Sequence, residues 1–328
     1  LSRRVLIPLK IDPPAPPADG HVHELGGETM GTTWSVRFVA ENVPAGLAAG
    51  IGQVLDRVIA QMSTWEPGSV LSRFNSAPKG TWHDLPDDLF TVMAYALDMA
   101  DDSDGAFDPT VGPLVNLWGF GPDGKRDAPP AADRIAETLA RCGWRRLALD
   151  RAGRRALQPG GLHVDLSGIA KGHAVDLLAR QMQGAGIGSY LAEIGGELHG
   201  HGVKPDGSPW WTALETPAGI ASETIVALHG LSAATSGDYR KFFMKGEARY
   251  SHTIDPRTGR PVTGNVTSIT VLHPDCMHAD ALATVLGVLG VDEGMVYAAQ
   301  RRIAARFLMR AGDGFAERTT PAFDAMLG

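Results

Sequence analysis

The chain has 328 residues, 44% of them hydrophobic and 20% charged, proportions that fit a folded globular protein and exclude a disordered one. The formal charge of −7 excludes broad nucleic-acid binding, which needs a basic face. No stretch reaches the roughly 18 uninterrupted apolar residues of a bilayer-crossing helix.

The length suits one large domain or two intimately packed lobes. Cys142 and Cys276 show neither CxxC spacing nor a disulfide framework, so two buried free thiols are expected. Residues 1–10 carry arginines and a short apolar run, without a signal h-region or cleavage site. That reads as a cytoplasmic protein, or a periplasmic one if an export signal precedes this sequence. IDPPAPPADG (11–20) is Pro-rich, so residues 1–23 are expected as an arm and 24–328 as a single domain.

TTWSVRFVA (32–40) alternates and is β-rich, which predicts a strand. Leu47, Ile51, Val54, Leu55, Val58, Ile59 and Met62 recur at helical spacing and predict an amphipathic helix over 45–63. A second helix is expected from about Asp87 to Asp101. A Gly/Pro/Trp-rich loop follows at 104–124, too apolar for disorder and long enough to be functional. A short helix is expected near 131–141. GLHVDL (161–166) reads as a strand and SGIAKGHAVDLLARQM (167–182) as a helix. From 189 to 235 the pattern predicts a β meander of SYLAEI, GELHGHG, WWTALET, ETIVALHG and LSAATS, with Gly195-Gly196 as a hairpin turn. Strands at Tyr250–Ile254 and Val266–Leu272, helices from about His278 and over 292–302, and two short terminal strands complete the chain. Meander plus packed helices predicts an α+β fold with mixed and antiparallel sheets.

Four segments could carry chemistry. At the turn from Asp165 to Gly172, Ser167 is a candidate N-cap, and free amides at a helix start suit a phosphate. Gly168 and Gly172 leave one helix face bare, and Lys171 sits where the helix dipole disfavours a cation, as if it had an anionic partner. No G-x-x-x-x-G-K-[ST] loop is present. Asp280 and Thr284, four apart after a Pro274-Asp275 helix start, put a carboxylate and a hydroxyl on one face, donors that Mg²⁺ accepts. Either could equally be ordinary helix packing. His252 shares a strand face with Ile254 ahead of an Asp-Pro…Thr-Gly turn, and could be acid, base, phosphate ligand or structural. The backbone of GAFDPTVGP (105–113) could read a flat ring's edge, and Met30 and Trp65 could clamp one.

Taken in order, GETMGTTW (27–34), MSTWEPGSVLSRFN (62–75), DGAFDPTVGPLVNLWGFG (104–121), VDLSGIAKGHAVD (164–176), EIGGEL (193–198), SGDYRKFF (236–243), YSHTIDPRTGRPV (250–262) and ADALATVL (279–286) resemble the ApbE family of flavin transferases. The resemblance covers residues 27 to about 290. It implies a compact α+β fold that binds FAD near Mg²⁺ and transfers FMN to a Ser or Thr hydroxyl of an acceptor flavoprotein with an FMN-binding domain, releasing AMP. By that resemblance Met30, Trp65, Ala106, Phe107, Asp108, Asp165, Lys171 and Ile254 contact the flavin nucleotide. Gly168 (carbonyl), Asp280, Ala283 (carbonyl) and Thr284 hold the metal, and His252, Asp280 and Lys171 serve the chemistry. Trp65 and His173 stand where Tyr is usual, and the lipobox cysteine of many relatives is missing, so membrane association is expected only through the acceptor. Hydrolysis of FAD to FMN and AMP, and non-catalytic FAD binding, are the competing readings.

Overall fold

The computed structural model describes residues 3–10, 20–216, 223–237, 241–312 and 314–328. Its centre is an eight-stranded sheet of β1 (His21–Thr29), β2 (Thr32–Ala40), β3 (Tyr190–Ile194), β4 (Glu197–His201), β5 (Leu231–Gly237), β6 (Val266–His273), β7 (Ala304–Ala311) and β8 (Gly314–Thr319). Spatial order follows chain order, and every neighbouring pair is antiparallel. The strand expected at 32–40 is β2, residue for residue. Gly195 and Gly196 both take positive φ in the two-residue turn from β3 to β4. That conformation matches the strands' twist and is costly for other residues.

Strand alternation explains how the sheet is covered on both sides. Val36, Phe38, Tyr190, Ala192, Ala234, Val271 and Ala305 face one core. There they meet α1 (Leu47–Met62), α2 (Asp87–Asp102), α3 (Ala170–Gly184) and α4 (Cys276–Gln300). Val39, Leu191, Ala233, Leu272 and Ala304 face the other core, with Leu6, Trp210, Val226 and Leu228. α1 buries Leu47, Ile51, Val54, Leu55, Val58 and Met62, six of the seven positions in the stripe read from the sequence, with Ile59 half-buried. α4 joins the two helices expected near 278 and 292–302 across a non-helical Gly290. It is long and apolar enough to cross a bilayer, but packs on β5, β6 and α3.

The structure departs from the local expectations at four places. Trp210–Ala213 and Glu223–Leu228 leave the meander and form a separate three-stranded sheet with Arg3–Leu6, which pairs parallel to 223–226. Their apolar residues cover the second face of the main sheet, so β4 pairs directly with β5. Residues 3–6 lie within the stretch expected as an arm, yet Leu6 is wholly buried; residues 11–19 of the Pro-rich segment lie outside the described residues. The 161–166 run forms no ladder. Asn75 holds Val164 in both directions, donating from Nδ2 at 2.9 Å and accepting at Oδ1 at 2.8 Å, while Gln158 bonds the backbone of Leu162. Side chains here replace the strand partner that an apolar run ordinarily needs. Finally, Ile169, not Ser167, is the N-cap of α3. Asp165 Oδ1 accepts from the Ser167 N–H at 2.8 Å and makes the preceding turn instead.

A third cluster joins Leu114, Trp118, Ile135, Cys142 and Ile254, with Phe243 and Tyr250 packed against it. It brings the 104–121 loop, which contains a short helix at Gly112–Leu117, against the hairpin of Phe242–Lys245 and Ala248–Ser251. Cys142 and Cys276 are both free and buried.

Candidate functional site

A cavity of about 790 Å³ opens where these pieces meet. Its walls come from the β1–β2 turn, the end of α1, the 106–108 segment, the entry to α3, the start of α4, the end of β5 and the 252–256 stretch. Met30, Trp65, Ala106, Phe107, Asp108, Asp165, Gly168, Lys171, His252, Ile254, Asp280 and Thr284 all line it. Ala283 is fully buried and does not. The volume falls within the roughly 300–1,000 Å³ of small-molecule sites.

Local structure sets what each wall can offer. Met30 and Gly31 form the β1–β2 turn with φ of 50° and 72°. A methionine in the left-handed region is uncommon and places its side chain at the cavity rather than in the sheet. Trp65 follows α1 in a turn built on Ser63, whose Oγ accepts from the Trp65 and Glu66 amides at 3.1 and 3.2 Å. The indole is 64% exposed, so its role is not core packing. Ala106 and Phe107 are buried, and their amides are already spent on Ser103 O and Ser103 Oγ. The expected backbone reading of a ring edge therefore has no free amide at these two positions. Asp108 is also engaged: Oδ1 accepts from Thr110 N–H and Oγ–H at 2.7 Å each, and Oδ2 from Trp144 N–H at 3.1 Å. Burial still pushes its carboxyl above the ordinary range, against those bonds.

The floor is electrostatic. Lys171 Nζ lies 2.6 Å from Glu197 Oε2. The anionic partner expected of Lys171 is thus, in part, a carboxylate of the protein itself. Burial would lower the ammonium's pKa, but Glu197 and Asp280 outweigh it and hold it raised. Burial pushes Glu197 up to about 7 despite Lys171. Asp280 is also raised by burial, with Lys171 and the Gly172 N–H at 2.9 Å pulling the other way. One cation between two buried acids leaves negative charge for a further cation to balance.

Asp280, Thr284 and the Gly168 carbonyl could offer oxygen donors to such a cation. The Thr284 hydroxyl lies 3.5 Å from the Gly168 carbonyl oxygen, and a Cβ at Gly168 would come within 3.0 Å of Thr284 Oγ1. Carboxylate, hydroxyl and carbonyl oxygens beside excess negative charge fit Mg²⁺, which prefers hard oxygens and keeps several waters.

His252 lines the cavity with Nδ1 3.1 Å from Lys241 O and its ring edge-on to Phe120. Its strand ends at Ser251, and Ile254–Asp255 begins a separate two-stranded pairing with Arg260–Pro261. Both side chains nonetheless reach the cavity. Residues 238–240 of the SGDYRKFF segment lie outside the described residues. His173 is a core residue between α3 and α2, with Nε2 3.4 Å from Asp88 Oδ1.

Sequence reasoning gave no role to Glu197 or Asp176. Glu197 stood in EIGGEL as part of a motif, and a buried acid directly after a glycine turn was its available signal. Asp176 accepts from the Cys276 and Met277 amides at 2.8 and 2.9 Å, capping α4 from α3.

The whole chain has close relatives. The flavinyl transferase ApbE of Pseudomonas stutzeri, solved in its apo form, superposes with a TM-score of 0.88 at 40% identity, covering 94% of this chain and 98% of that one. The flavin transferase ApbE of Vibrio cholerae superposes with a TM-score of 0.87 at 38% identity, over 94% and 100%. Among curated proteins, the FAD:protein FMN transferases of Vibrio cholerae and Escherichia coli K12 are 39% and 35% identical, over 92% and 95% of this chain and 92% of each relative. The profile of the ApbE family matches residues 30–307, and with this fold and this cavity the chain belongs to the ApbE family.

Proposed function

We propose that this enzyme transfers FMN from FAD to a Ser or Thr hydroxyl of an acceptor flavoprotein, releasing AMP, with Mg²⁺ bound at Asp280, Thr284 and the Gly168 carbonyl. The observation that carries the reading is the convergence of a flavin-sized cavity with a buried acid pair on the same wall. The names of the relatives point the same way.

In this reading Trp65 and Met30 hold the isoalloxazine, one by stacking and one by sulfur contact. Ile254 and Phe107 exclude water from the ring. Lys171, tied to Glu197, directs its charge at the diphosphate. The acceptor hydroxyl oxygen forms a bond to the phosphorus on the FMN side, and the bond from that phosphorus to the bridging oxygen breaks. AMP leaves with the electron pair. His252 takes the hydroxyl proton. Bound Mg²⁺ supplies neutralisation of phosphate charge.

The test is to mix the protein with FAD, Mg²⁺ and an acceptor domain, then look by mass spectrometry for AMP and an FMN-sized adduct on a Ser or Thr. AMP with free FMN and no adduct would replace transfer by hydrolysis. FAD retained intact would leave a carrier.

A further inference from the structure

His273, Asp275 and His278 gather at the junction of β6 and α4, outside the flavin cavity. His273 ends the strand, Asp275 is the N-cap of the helix, and His278 lies in its first turn. The spacing is H-x-D-x-x-H. Asp275 Oδ2 lies 3.8 Å from Nδ1 of His273 and 3.8 Å from Nδ1 of His278. One ligating atom from each residue falls within 4.8 Å of the others. The rings are oriented by their surroundings: His278 stacks on Tyr95 of α2 at 4.1 Å and 2°, and the Asp275 N–H donates to His273 Nδ1 at 3.0 Å. That bond keeps a lone pair of His273 turned toward Asp275.

We propose that these three side chains form a second metal site, for a divalent transition ion of the Zn²⁺ class. Two imidazoles and one carboxylate are borderline donors that suit Zn²⁺, with water completing a tetrahedron, and they suit Mg²⁺ poorly. Ligand atoms about 2.0–2.1 Å from a tetrahedral ion are roughly 3.3 Å apart, so the two Asp275–His pairs close by about half an ångström and the widest pair by up to about 1.5 Å. Asp275 is exposed and both histidines are half-buried, so the side chains can make that movement. Coordination replaces the Asp275 N–H bond to His273.

Position gives the site a consequence. His278 and Asp280 are two residues apart on one helix, which puts their side chains about 200° apart around it. The ion would tie the outer face of the helical turn whose inner face carries Asp280. It would join β6 to α4, with Tyr95 of α2 stacked on one of its ligands.

The experiment is calorimetric titration of the full chain with ZnCl₂ in excess Mg²⁺, alongside thermal unfolding with and without Zn²⁺. The wild type should take up one equivalent and unfold at a higher temperature with the ion. His273→Ala should weaken uptake about tenfold or more, and His273→Ala/His278→Ala should abolish it with the rise in midpoint. Asp280→Ala should keep the equivalent. If the double variant fails to fold, His273→Ala alone decides, because its ring makes no stack on Tyr95. Absence of uptake by the wild type, unchanged uptake in the histidine variants, or loss in Asp280→Ala would each overturn the site.

Discussion

Replacing Gly172 by alanine isolates the contact on which the acid pair depends. In an open helix interior, glycine to alanine gains up to about 1 kcal/mol. At Gly172 the new Cβ would meet the Cys276 carbonyl oxygen, lie 2.7 Å from its carbon and 2.8 Å from Asp280 Cβ. Two of those neighbours are backbone, so α3 and α4 must separate. Overpacking of this kind costs about 1–3 kcal/mol. Separation also breaks the 2.9 Å bond from Gly172 N–H to the Asp280 carboxylate. A bond to a charged acceptor adds about 1.5–3 kcal/mol. The net expectation is a loss of about 1.5–5 kcal/mol, together with a displaced Asp280. Gly52, inside α1, is the control, because a Cβ there meets nothing within 4 Å. Urea unfolding of both variants, with FMN transfer measured per folded molecule, makes the comparison. The same small gain in both would refute the close crossing, and a destabilised Gly172→Ala with full transfer at saturating Mg²⁺ would refute its link to the site.

The other predictions are simpler. Asp280→Ala should abolish transfer at every Mg²⁺ concentration while keeping the native circular dichroism, and wild-type turnover in metal-buffered solution would remove Asp280 from the metal site. Trp65→Ala should weaken FAD several-fold, about 1 kcal/mol of stacking, and Trp65→Tyr should be mild; fluorescence titration decides, with unchanged affinity in the alanine variant counting against stacking. Lys171→Ala should mainly weaken FAD binding, whereas His252→Ala should mainly slow single-turnover transfer at saturating FAD by roughly 10²–10⁴-fold. A full rate in His252→Ala would send the proton to a carboxylate or to water. Burial pushes the Asp176 carboxyl up to about 6, from an ordinary value of 3.8. A raised folded-state value means its contribution is full below about 3.8 and lost as pH rises through 6. Wild-type stability relative to Asp176→Asn should therefore fall by roughly 2.5 kcal/mol between pH 3.8 and 7, and a constant difference across that range would show an unshifted carboxyl.

Legibility in the sequence followed the range of the physics. β2 and α1 were readable because a strand's alternation and a helix's stripe are local, and the main core selects only which face turns inward. The 161–166 run has the composition of a strand, but Asn75, 89 residues away in sequence from Val164, satisfies its backbone. The meander misled for a related reason. Alternation marks 210–213 and 223–228 as strands but does not name their partner, and residues 3–6 supply it. At the site, short motifs marked the cavity-lining residues, while the uses of Asp108 and Lys171 depended on Trp144 and Glu197, which no spacing rule connects to them.

The pairing of α3 with α4 shows why the site could not be read as a list of ligands. Asp176 of α3 accepts from the first amides of α4, and Asp280 of α4 accepts from Gly172 of α3. The residues involved, 172 and 176 on one helix and 276 and 280 on the other, are each four apart, so each carboxylate sits one turn from the backbone its partner grips. This reciprocal clasp holds two acids in a dry interface, where burial raises both. Asp176 spends its charge on the amides of a helix start, which the dipole favours. Asp280 has one such bond and Lys171 nearby, and faces the cavity. The helix crossing therefore does two jobs with one geometry: it closes the core, and it leaves at its open end the carboxylate that the proposed Mg²⁺ site uses.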